Sequence, residues 1–72
     1  MKIVDCWLFK GKTAVYCNGD DVDEFAKKKT VIIANHQYSI LGHDILISPF
    51  GNKNLMLLLD TTEQFEFPQK IS

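Results

Sequence analysis

Cys6 and Cys17 lie at equal distances on either side of Gly11-Lys12. Thiols placed this way could form a redox disulfide, supply half of a metal site, or pack as small core residues. A tight turn at Gly11-Lys12, with Gly at the first central position of a type II′ turn, pairs Lys10 with Thr13. Cys6 then faces Cys17 and Trp7 faces Tyr16. In that register the two cysteines form a hydrogen-bonded pair with Cα atoms about 5.5 Å apart. The distance allows a disulfide, but side chains at such pairs are held farther apart than at their neighbours, so the bridge is strained. The simplest expectation is two buried thiols acting as hydrophobes between Val4, Leu8 and Val15. A thiol-based redox sensor using Cys6 and Cys17 is the reactive alternative.

Other constellations offer less. The only histidines, His36 and His43, lack the short paired spacing of a zinc loop. They also read as opposite ends of one strand, about 20 Å apart by strand rise. The acidic stretch "NGDDVDE" fails as a calcium loop: counted from Asn18, Asp23 holds the glycine position, Lys29 the twelfth, and Val22 a ligand position. Ser39 and Ser48 lack a glycine-flanked elbow, and no glycine-rich phosphate loop is present. So short a chain leaves little room for a substrate pocket of several hundred Å³. The expectation is a protein that is not an enzyme and holds no metal or cofactor.

The elements that position these residues come from strand-like runs punctuated by turn residues. Lys2 to Lys10 and Thr13 to Asn18 form a first hairpin, with Val4, Cys6, Leu8, Val15 and Cys17 on one face. Ile3, Trp7, Phe9, Ala14 and Tyr16 share the other. Both faces are apolar, so the sheet must be covered on both sides or rolled into a barrel. In "NGDDVDEFAKKK", Asp21 and Glu24 have capping-box spacing and Lys27 to Lys29 complement a helix dipole. A short helix near residues 21–28 follows, with Val22 and Phe25 turned inward as a plug.

"TVIIANHQYSIL" reads as a second hairpin turning at Asn35-His36, with Ile33 facing Tyr38 and Val31 facing Ile40. Gly42 marks a bulge or corner. Leu55-Met56-Leu57-Leu58-Leu59 reads as a strand buried on both faces, with a helix capped by Asn54 as the alternative. "EQFEFP" reads as an edge strand ended by Pro68. The expected fold is all-β, one small domain over residues 1–72, a barrel-like or rolled antiparallel sheet of five to six strands with one short helix. Its order of hairpin, plug and meander is similar in outline to the small β-barrels of translation-factor second domains and SH3-like modules. That likeness is one of architecture alone.

Composition narrows the partners. Apolar residues make up 46% of the 72, ample for a packed chain, and the longest apolar run is far below the roughly 20 residues of a membrane span. Asp5 interrupts the place where a signal peptide would continue its apolar core, so the expectation is a cytoplasmic protein with no membrane partner. The net charge is −1 and every basic residue is Lys, none Arg. Neither a long-range field nor the bidentate guanidinium that reads bases and phosphates is present. What remains is surface. With Cys6 and Cys17 inward, Trp7, Phe9 and Tyr16 form an outward aromatic face flanked by Lys10 and Lys12, unless the long loops and the C-terminal segment, Phe65 and Phe67 included, cover it as a second small core. The expected function is a non-enzymatic binding module acting through that face on a protein partner or in a homodimer. The alternative is a single-stranded nucleic-acid or ribosome-associated barrel, its aromatics stacking on bases with help from Lys10, Lys12 and Lys2.

Overall fold

In the computed structural model, which covers Met1–Ser72, two tight turns set the register of the fold. β1 (Lys2–Phe9) and β2 (Lys12–Asn18) are joined by Lys10-Gly11; β3 (Thr30–Ile33) and β4 (His36–Ile47) are joined by Ala34-Asn35. Every linking residue has positive φ, 50° and 75° in the first turn and 52° and 66° in the second. These are type I′ turns, whose twist matches that of the strands they join. Both turns therefore sit one residue earlier than the sequence suggested. Type I′ favours Gly at its second central position, as the Asn-Gly preference shows. Gly11 takes that place, and Asn35, which also tolerates left-handed angles, takes it in the second turn.

The earlier turns move each partner by two residues. Trp7 pairs with Ala14 rather than Tyr16, and Cys6 with Val15 rather than Cys17. In the second hairpin Ile33 faces His36 and Val31 faces Tyr38. A two-residue displacement keeps every side chain on its original face, so the expected division into inner and outer faces holds along most of β1. It fails at the bulge between Ile3 and Asp5. There Ile3 turns inward and is fully buried, while Val4 turns outward and is exposed, the reverse of the expectation.

β5 (Lys53–Leu59) pairs with both β2 and β4, and β6 (Gln69–Lys70) pairs with the start of β1. The order across the antiparallel sheet is β3-β4-β5-β2-β1-β6. A second bulge lies between Ile40 and Gly42, where β4 passes from its pairing with β3 to its pairing with β5. The C-terminal residues join the two edges of the sheet. The Ile71 amide donates to the Met1 carbonyl at 2.9 Å, Ile71 bridges to Ile33, and Ile32 and Ser72 exchange backbone bonds of 3.0 Å. This small all-β, barrel-like fold is the expected class, with one correction at its end. "EQFEFP" forms no strand, and the last strand lies beyond Pro68.

Inside the barrel Ile3, Val15, Cys17, Leu55, Leu57 and Leu59 meet Val31, Ile33 and Ile71 in one cluster. α1 (Val22–Phe25) closes one end, contributing Val22 and Phe25 to that cluster. Asp21 precedes it without forming the expected side-chain cap; its carboxylate lies 3.8 Å from the N-terminal ammonium instead. The other end is crossed by the segment after β5. Its Thr61 carbonyl accepts the Thr13 amide at 2.7 Å, and its Glu63 carbonyl accepts the Thr13 hydroxyl. Its Phe65 packs edge-on against Tyr38. No helix is long and apolar enough to cross a membrane.

Candidate binding face on the first hairpin

The strands that build the core also carry apolar side chains on their other side, and the register aligns these in rows. Trp7, Ala14, Leu58 and Gly42 lie side by side across β1, β2, β5 and β4, followed by Asp5, Tyr16, Met56 and Asp44. Ala14 is only 1% exposed although it points away from the core. Trp7 and Leu58 flank it directly, and Tyr16 and Met56 stand in the next row. Each of these larger side chains is half-buried. Both plugs pack on the inner side, Val22 and Phe25 in the core and Phe65 against it. The outer face is thus sheltered by its own side chains.

Of the residues expected at a site, Trp7 and Tyr16 share this face and flank Ala14 without forming a ring pair. Phe9 stands at its margin, 48% exposed, opposite Lys12. The Lys10 ammonium lies 5.3 Å from the Phe9 ring centroid and has no carboxylate partner, whereas Lys12 is paired with Asp60 at 2.8 Å. Asp5 and Asp44 border the face in the Tyr16 row. The sequence reading missed Met56 and Leu58. Their signal was the alternation within "LMLLL", which separates them from the buried Leu55, Leu57 and Leu59.

The cysteines are apart from this face. Cys17 is fully buried opposite Ile3, Cys6 is half-buried opposite Val15, and both are unbridged. They are diagonal neighbours on the inner face, a relation in which Cα atoms stand about 7–8 Å apart, beyond comfortable disulfide reach. Burial pushes the Cys17 thiol up to about 12, only partly offset by the N-terminal ammonium. It therefore stays protonated, the unreactive form. Tyr38 is also raised, first by its hydrogen bond to the Glu63 carboxylate, then by burial and by that carboxylate's charge. His36 and His43 both lie in β4. Comparison of the chain with protein families, with curated proteins and with solved structures found no match.

Proposed function

We propose that this protein is a non-enzymatic binding module whose contact surface is the outer face of β1, β2 and β5, centred on Trp7, Tyr16, Met56 and Leu58. The observation that carries this reading is the burial of Ala14 among four larger apolar residues of the neighbouring register positions, on a face that neither plug covers. Large aromatic side chains around a dry centre, with charged residues at the margin, have the anatomy of a protein-binding patch. Asp5 and Asp44 at its border repel a phosphate backbone, and Asp60 neutralises Lys12. Those charges favour a protein partner over nucleic acid.

The test is the double variant Trp7→Ser, Tyr16→Ser. Loss of oligomeric state or of co-purifying partners, in a variant that is less stable but still folded, is the expected result. Unchanged stability, assembly and partners together would overturn the proposal.

A further inference from the structure

The outer face runs to the free edge of β1. β6 pairs only with Lys2 and Ile3 of that edge, leaving Asp5 to Phe9 with β2 alone. The two-residue turn makes Phe9–Lys12 a hydrogen-bonded pair, so Trp7 and Asp5 also direct their backbone groups at β2. Cys6 and Leu8 therefore direct theirs outward. In keeping with this, the Cys6 amide bonds not to a strand but to the Asp5 carboxylate, at 2.8 Å. Leu8 occupies an inner-face position yet is 53% exposed.

Resting on the binding reading above, we infer that the partner of this face is a second copy of the same chain, joined by antiparallel pairing of β1 with β1 about a two-fold axis at Trp7. Unpaired strand edges are templates for such addition, and a two-fold interface must be complementary to itself. This edge is. Cys6 exchanges backbone bonds with Leu8 of the second copy, and Leu8 with its Cys6. Trp7 then meets the other Trp7 at a non-hydrogen-bonded position, where side chains come closest and aromatic pairs gain most.

The charges agree. Asp5 has no cationic partner, Lys10 has no anionic one, and they stand at opposite ends of the free stretch. The two-fold axis places Asp5 opposite Phe9 of the second copy, whose ring already carries the Lys10 ammonium on this side. Both unpaired charges are matched in one step, and the match occurs twice. Within the single chain, the Asp5 bond to the Cys6 amide caps the edge. On pairing, the Leu8 carbonyl of the second copy replaces that carboxylate, which turns to Lys10.

Sedimentation equilibrium from micromolar to millimolar protein, followed in parallel by fluorescence of the single tryptophan, reads the association. A concentration-dependent dimer with a changed Trp7 signal is expected. Leu8→Pro removes an edge-facing amide that β2 does not use and should abolish the dimer while far-UV dichroism is retained. Lys10→Glu and Asp5→Lys should each weaken it about tenfold, and the two together should restore it. If Leu8→Pro fails to fold, the charge-reversal set decides. A monomer throughout, a dimer indifferent to Leu8→Pro in a folded variant, or single reversals without effect overturns the inference. A monomer whose other partners are lost with Trp7→Ser, Tyr16→Ser would overturn the dimer and leave the binding face standing.

Discussion

The two sides of β2 and β5 have nearly the same chemical character and opposite fates. Inward, Thr13, Val15, Cys17, Leu55, Leu57 and Leu59 are all fully buried. Outward, Tyr16, Met56 and Leu58 keep part of their surface in water, and only Ala14 is dry. Apolar residues on both faces of a strand thus did not require cover on both faces. The inner side gains its burial from distant segments, Val31, Ile33 and Ile71 among them. The outer side gains what it has from neighbours in the same sheet. One side supplies stability, and the other is the side proposed for recognition.

A single substitution on each side separates the two roles. Leu57→Ala removes a side chain fully enclosed in the core and should cost about 2–5 kcal/mol, enough to threaten the folding of so small a domain. Leu58→Ala, one residue on and facing outward, should cost about half that or less, since its side chain loses only part of its exposure on folding. Urea titration of both variants measures the contrast. Equal losses would mean that the outer face is a second core.

That contrast was half legible in the sequence. Alternation assigned Cys6, Val15 and Cys17 inward and Trp7, Phe9, Ala14 and Tyr16 outward without knowledge of the register. The turn placed one residue late shifted partners by two and spared the faces. The bulge at Val4 had no such protection: one extra residue inverts the alternation, and nothing in "KIVDC" announces it. The end of the barrel was also hidden. "EQFEFP" has the alternation of a strand, but Glu63 is bonded to Thr13 and Phe65 is packed on Tyr38, contacts with no local signature. The candidate face was incomplete for the same reason. Met56 and Leu58 join Trp7 and Tyr16 only because β5 pairs with β2 across a long stretch of chain, and sequence order gives no measure of that adjacency.

Cys17 turns the inner side into a pH effect. Its folded thiol ionises near 12 against an ordinary 9.0. Because the folded value is raised, its contribution is intact below pH 9 and is lost as pH climbs toward 12, where the unfolded chain sheds a proton that the folded chain keeps. At pH 10.5 the effect is about 2 kcal/mol relative to neutral pH. Cys17→Ala should be correspondingly less sensitive than the parent chain. Denaturant titrations of both at pH 7 and 10.5 test this, since the other titrating groups are common to the two. Equal slopes would mean that Cys17 is not dry.

Thr13 comes next in size. It is fully buried, and its hydroxyl holds the Glu63 carbonyl, so Thr13→Val leaves that acceptor short of a donor at a cost of about 1 kcal/mol. The loss should concentrate in the segment over the open end of the barrel. Faster amide exchange around residues 61–65, with the central strands unchanged, is the expected signature.

The smallest effect on stability should accompany one of the largest on association. Phe9 is nearly half exposed and stands at the end of the outer face, with Lys12 opposite and the Lys10 ammonium over its ring. About half of its surface stays in water in the single chain, so Phe9→Ser should change unfolding free energy by less than about 1 kcal/mol. In the paired assembly the same ring lies opposite Asp5 of the second copy and holds the ammonium that answers its charge. Its loss should therefore weaken association as Lys10→Glu does. Leu57→Ala behaves in the opposite way, with stability failing first and association only as a consequence. If Phe9→Ser instead lowered stability as much as Leu58→Ala and left association intact, Phe9 would belong to the packing of the sheet, and the division between its two sides would have to be redrawn at β1.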